Sequence, residues 1–247
     1  VKLFFAGADN IHQHEAVLAR AGVRNRLQSY YSLGGRPPST NYDMLLLDSG
    51  GFSARTKGVV IDVLEFAEYV NRHSIRYAFN LDTNDVEETL ENQAQLVARC
   101  PGTTIIPVYH LSDFQSDEHR GLLERFEREG FSYVGIGGVA GEGSPVQLQQ
   151  QFYRYVFRTV RDRVRLHGLG ITARRQLREY PWYSVDSTSW LSSARFGSSS
   201  TLRDPRVKLF EARTKNYKEL EYGEAVRWLQ VEAEVTRLWT ERGITWQ

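Results

Sequence analysis

Eight short apolar runs recur along the chain, with stretches of helical periodicity between them, and this alternation limits the fold more than any other feature of the sequence. The runs fall at 2–6, 27–31, 43–48, 76–81, 103–109, 132–137, 164–169 and 182–186. Helical spacing of apolar residues is clearest from Val60 to Asn71, Val86 to Ala98, Asp117 to Glu129 and Val146 to Val160. Strands that alternate with helices of this length form parallel βαβ units. Eight such units predict an α/β fold, a single (β/α)8 TIM barrel, and the 247-residue length suits one barrel domain spanning 1–247. An open doubly wound sheet is the alternative, since one miscounted strand would change the outcome. A last amphipathic segment, Tyr222 to Arg242, carries Leu229, Val231, Val235 and Leu238 towards one side and reads as the eighth barrel helix. An irregular insertion at about 187–221 separates it from the last strand, and Leu191 to Ser200 has loop composition.

Composition narrows the functional classes. The chain is 41% hydrophobic with mean hydropathy −0.46. No apolar run approaches the roughly 20 residues that span a bilayer. The apolar part of Val1-Lys2-Leu3-Phe4-Phe5-Ala6-Gly7 is too short for a signal peptide and reads as a first strand, so a cytoplasmic location is expected. Cys100 is the only cysteine, which leaves no intrachain disulfide and no Cys-based zinc cluster within this sequence. The net charge of +1 does not advertise a nucleic-acid partner. Yet only five of the 31 basic residues are lysines. Arginine is the better fork for phosphate, although a compositional bias towards arginine accounts for the excess equally well.

In a parallel barrel the C-terminal strand ends converge on one face. Here they carry Gly7 and Asp9, Tyr30 and Tyr31, Asp48, Asp82, His110, Gly137 and Gly138, His167 with Gly168 and Gly170, and Asp186. Two runs end in an acid: Met44-Leu45-Leu46-Leu47-Asp48 and Trp182-Tyr183-Ser184-Val185-Asp186. A pair of strand-end acids suits a division between nucleophile and proton-transfer group. The competing reading is that both cap the helices that follow. Gly50 and Gly51, after Asp48, allow a sharp turn and close approach of a flat ligand, with Phe52 placed to stack on it. The glycine-rich stretch Ile136 to Gly143 offers backbone groups to a ligand edge, or a phosphate site. Asp82 is suited to accept from the N1–H and amine of a guanine-type edge, unless it or Thr83 caps the next helix.

Together these segments resemble the tRNA-guanine transglycosylase superfamily. Asp48-Ser49-Gly50-Gly51-Phe52 matches its DSGGF motif, and Phe79 to Asp82 resembles its purine-reading strand end. Gly135-Ile136-Gly137-Gly138-Val139-Ala140 is similar to its (A/G)IGG(L/V)A loop, and Leu166 to Gly170 to its LMGVG strand. Asp186 through Gly197 follows the spacing of its nucleophile segment, DCVxPTRxARxG, with Ala194, Arg195 and Gly197 in place. The matches keep family order from about residue 44 to residue 197. The departures are a missing zinc site of three Cys and one His, Pro107-Val108-Tyr109-His110 in place of a base-reading Gln, Trp190-Leu191-Ser192 for Pro-Thr-Arg, and His167 for a Met. The chain is also shorter than a typical tRNA enzyme. This compact, zinc-less pattern is most similar to the phage-type DNA 7-deazaguanine transglycosylases.

The resemblance implies exchange of guanine in DNA for a free 7-deazaguanine base, with no ATP and no redox cofactor; no cofactor or metal is expected, a metal site built from His and Asp staying open. Asp186 is then the nucleophile at C1′ and Asp48 the proton-transfer group. Asp82, Gly137, Gly138, Val139, Phe52, Ser49, His110 and His167 are the expected base-binding set. A guanine must be single-stranded or flipped to reach such a site. Arg195, Arg174 and Arg175 are candidates to grip phosphates beside it, the plainer reading of the arginine pair being a solvated helix face. An accessory protein or a homodimer is compatible with the pattern. The rivals are a tRNA-guanine transglycosylase, a glycoside hydrolase or phosphosugar enzyme on the same barrel, and a non-catalytic nucleic-acid-binding barrel.

Overall fold

The structure, a computed structural model, describes residues 1–9, 12–139, 144–160, 164–171, 173–191 and 217–246, the side chains of residues 12 and 13 excepted. Among these residues nine strands form one sheet: β1 (Lys2–Phe5), β2 (Asn25–Ser29), β3 (Met44–Asp48), β4 (Tyr77–Phe79), β5 (Thr104–Ile106), β6 (Val108–His110), β7 (Tyr133–Gly137), β8 (Arg165–Gly168) and β9 (Ser184–Ser187). Every pairing is parallel, in the order β5-β4-β3-β2-β1-β9-β8-β7-β6. The two ends of that order, β5 and β6, are consecutive in the chain and separated by Pro107 alone. Proline has no N–H to donate, so the ladder breaks there. The first half of this stave pairs with β4 and the second with β7, and the Pro107 carbonyl still accepts from Gly135 N at 2.8 Å. The sheet thus curls into a nearly closed α/β barrel, and the eight runs expected from the sequence become eight staves.

The described helices are α1 (His12–Ala21), α2 (Tyr30–Leu33), α3 (Gly51–Thr56), α4 (Val63–Arg72), α5 (Val86–Arg99), α6 (Leu111–Gln115), α7 (Leu122–Arg128), α8 (Val146–Thr159), α9 (Arg174–Glu179) and α10 (Tyr217–Glu241). Tyr30 and Tyr31 do not end the second strand. Ser29 accepts from Ser32 N and starts α2, so the strand stops at Ser29. Asp62 caps α4 by accepting from Leu64 N and Glu65 N, and the helix buries Phe66, Ala67, Tyr69 and Val70 at helical spacing. Each fully buried large apolar side chain of this kind stabilises the fold by about 1.5–3 kcal/mol. In α10 the buried stripe runs through Trp228, Val231, Val235 and Trp239, with Leu229 and Leu238 on its flanks. Trp228 and Trp239 join the expected Val231 and Val235 on its packing face, and Leu229 packs half-buried against the same core. Among the described residues no helix is long and apolar enough to cross a membrane.

The barrel lumen is filled by Phe4, Leu27, Leu46, Phe79, Ile106, Val108, Tyr133 and Tyr183, contributed by staves around the ring. Other buried clusters seat the helices on the outside of the sheet. One buried charge joins β2 to the loop after β1. The Arg26 side chain is 0% exposed and donates to the carbonyls of Phe5, Gly7 and Leu27, while pairing with Asp9 and Glu15 at 3.3 Å. Nearly all the donors of a buried guanidinium find acceptors here, which its desolvation requires.

Candidate active site

Strand register sets the site. Ser29 lies opposite Asp48, Phe4 opposite Asp186, and His110 opposite Gly137, so the C-terminal ends meet at one mouth. A cavity of about 640 Å³ opens there, lined by Asp48, Asp82, Asp186, His110, Gly137, Gly138 and Phe52, with Arg55, Leu169 and Gly170 among its other walls. Three carboxylates from strand ends remote in sequence therefore share one space. Phe52 is 73% exposed, which places its ring at the rim.

None of the three acids caps a helix. Asp85, not Asp82 or Thr83, caps α5 by accepting from Glu88 N. Asp48 accepts from Gly50 N at 3.0 Å, within the turn ahead of α3. That turn needs glycine: Gly50 has φ +77, and a Cβ there would come within 2.4 Å of Ser29 Oγ and 2.6 Å of Tyr31 Cβ. Burial, then the neighbouring charges of Asp82 and Asp186, push the Asp48 carboxyl up from 3.8 to about 7. A group poised there both gives and takes a proton near neutrality.

Asp82 is handled differently. Its Oδ2 lies 3.1 Å from His110 Nε2, and its backbone carbonyl accepts from Arg55. Burial alone would raise the Asp82 carboxyl, but the hydrogen bond and charge of His110 outweigh it and hold it below the usual range. Burial likewise opposes the charge on His110, and the Asp82 bond outweighs it, raising the histidine. Asp82 is thus kept as an ionised acceptor beside a carboxyl that holds its proton. Gly137 makes room for this pair, since a Cβ there would lie 2.9 Å from His110 Nδ1.

Among the described residues Asp186 takes two hydrogen bonds, both on one oxygen. Oδ1 meets His167 Nε2 at 3.1 Å and accepts from Gly170 N at 2.9 Å. Its side chain is 11% exposed, towards the cavity.

Other sequence candidates fall elsewhere. His167 is fully buried inside the barrel, behind Asp186 and off the cavity wall, because its strand position points into the lumen between Phe4 and Phe79. Ser49 is also fully buried, and its hydroxyl accepts from Gly51 N. The Val139 side chain belongs to the main core cluster. Asp9 is bound to Arg26 and accepts from Ser29 N. Arg174 is paired with Glu234 of α10, so it ties two helices together, while Arg175 is exposed beside Glu179. Arg195 and most of the insertion lie outside the described residues. Arg55 and the Gly170 N–H are site groups that sequence reading did not single out for any role. Helical phase after Gly50 is the only signal for Arg55, and a backbone donor carries none. Among the described residues no three His, Cys, Asp or Glu side chains gather as a metal-binding set. No protein-family model and no curated protein matches the chain.

Proposed function

We propose that the protein exchanges guanine in DNA for a 7-deazaguanine base through a covalent aspartyl-deoxyribosyl intermediate. The observation that carries this reading is the trio of strand-end carboxylates, Asp48, Asp82 and Asp186, around one cavity, with Asp48 held near neutrality by burial and by the other two. Asp186 attacks C1′ as the C1′–N9 bond breaks, and the departing guanine takes the Asp48 proton at N9. An oxocarbenium-like centre forms and collapses onto the carboxylate, as in retaining glycosidases. The incoming base then gives its N9 proton to Asp48, N9 bonds to C1′, and the ester bond to Asp186 breaks. Protons and charge balance, so the cycle uses no ATP and no redox group.

Asp82, ionised, accepts from the N1–H and amine edge of the purine. Its Oδ2 already serves His110, so Oδ1 carries most of that contact. Gly137 and Gly138 leave flat space beside the base, and Phe52 at the rim stacks on it or on a neighbouring base. The target guanine enters flipped or single-stranded. The resemblance of the site segments to the phage-type DNA enzymes carries the choice of DNA over tRNA, and a cytoplasmic setting goes with that substrate.

The test is incorporation of labelled guanine or a 7-deazaguanine into single-stranded DNA, duplex DNA and tRNA, with Asp186→Ala alongside. Incorporation into DNA alone, lost in the variant, is the expected result. Incorporation into tRNA alone reassigns the polymer. Release of free guanine without incorporation makes the protein a hydrolase, and activity surviving in Asp186→Ala removes the covalent mechanism.

A further inference from the structure

We propose that His167 is a positioning residue for Asp186, the last link of a buried hydrogen-bond chain running Tyr133–Ser184–His167–Asp186; the inference rests on Asp186 being the nucleophile. Tyr133 Oη and Ser184 Oγ are 2.6 Å apart, Ser184 Oγ and His167 Nδ1 2.8 Å, and His167 Nε2 and Asp186 Oδ1 3.1 Å. All three residues behind the acid are buried.

The chain has a direction. A carboxylate only accepts, so the His167 nitrogen facing Asp186 carries the proton. In the neutral ring Nδ1 is then an acceptor, met by the Ser184 hydroxyl proton. Ser184 in turn accepts from Tyr133. Every proton finds an acceptor, with none left over, so one tautomer and one ring orientation are selected.

A ring with two polar nitrogens in an apolar lumen is costly unless both are used. A leucine would pack between Phe4 and Phe79 without that cost, so packing does not explain a histidine here. The geometry at Asp186 does. Two N–H donors, from His167 and Gly170, converge on Oδ1 and stop the carboxylate from rotating. Among the described residues nothing binds Oδ2, and Asp186 lines the cavity, so one oxygen is anchored and the other is presented to a bound nucleotide. Holding an attacking atom in line removes part of the entropic barrier to attack. The first bond formed with C1′ falls to Oδ2, while Oδ1 becomes the ester carbonyl, still held by both donors.

The experiment compares His167→Leu, His167→Gln and Ser184→Ala with the unmodified protein in steady-state base exchange into DNA, with circular dichroism as a folding check. Glutamine carries an amide N–H near the position of Nε2 and an acceptor behind it. His167→Leu is expected to lower kcat about 100-fold with KM for base and DNA nearly unchanged, and His167→Gln to restore about tenfold of that. Ser184→Ala, which keeps the imidazole but removes its nearest orienting partner, is expected to lose roughly tenfold in kcat. If His167→Leu fails to fold, Ser184→Ala carries the test. A raised KM with kcat retained makes His167 a base contact and overturns the inference. So does wild-type kcat in His167→Leu or Ser184→Ala, or glutamine performing no better than leucine. Exchange surviving in Asp186→Ala removes the nucleophile reading instead, so the two failures are distinguishable.

Discussion

Replacing Asp48 by asparagine should stabilise the protein at mildly alkaline pH and leave its stability unchanged in acid. The carboxyl ordinarily titrates at 3.8 and here is pushed up to about 7, chiefly by burial and then by Asp82 and Asp186. Between those values the folded protein keeps a proton that the unfolded chain has released. The stability tied to that proton is fully present below about pH 4 and is lost as pH rises through about 7. The interval corresponds to on the order of 4 kcal/mol at about 1.36 kcal/mol per pH unit. Asp48 opens onto the cavity and is partly reached by water, so screening reduces this to roughly 2 kcal/mol. Asparagine keeps the shape and an acceptor for Gly50 N–H, and cannot ionise. For a chain of this size about 1 kcal/mol moves Tm by about 2–4 °C. The variant should therefore melt roughly 4–8 °C above the unmodified protein near pH 8 and level with it near pH 4. Scanning calorimetry of both proteins across that range reads the difference directly. The same substitution should abolish base exchange, since Asp48 is the group proposed to carry the N9 proton, while His110 is engaged with Asp82. A difference in Tm that does not change with pH, or a variant less stable near pH 8, refutes the account of Asp48.

Two further outcomes test the scaffold. Arg26→Met should destabilise the fold by about 3–5 kcal/mol in urea unfolding, because it strands the buried Asp9 carboxyl, and adding Asp9→Asn should recover much of the loss; equal stability of Arg26→Met and the unmodified protein contradicts this. Gly50→Ala should cost about 2 kcal/mol or more and slow exchange, since the turn that holds Asp48 has φ +77 and no space for a Cβ; a variant with normal stability and rate shows that the turn is not required.

The barrel was legible because its elements are local. Period-two and period-3.6 patterns, with turn residues between them, identify strands and helices wherever one face is buried, and eight such strands in alternation leave few parallel topologies. Boundaries were less legible. Ser29 starting α2 shortened the second strand through a hydrogen bond that composition does not display, and Pro107, lacking an N–H, divided the fifth stave. The acids at the strand ends could be named from sequence, since a parallel barrel brings every strand's C-terminal end to one face. What each acid does could not. Asp9 and Asp48 look alike as strand-end acids, yet one is matched with a buried arginine and the other is set against two carboxylates. His167 and His110 look alike as strand-end histidines, yet one faces the lumen behind Asp186 and the other the cavity beside Asp82. The sequence by itself determined the barrel fold and which residues stand near the strand ends, because periodicity and strand direction are properties of short segments. Only the tertiary structure decided their charge states and partners, because desolvation and Coulomb energy depend on distances between residues far apart in the chain.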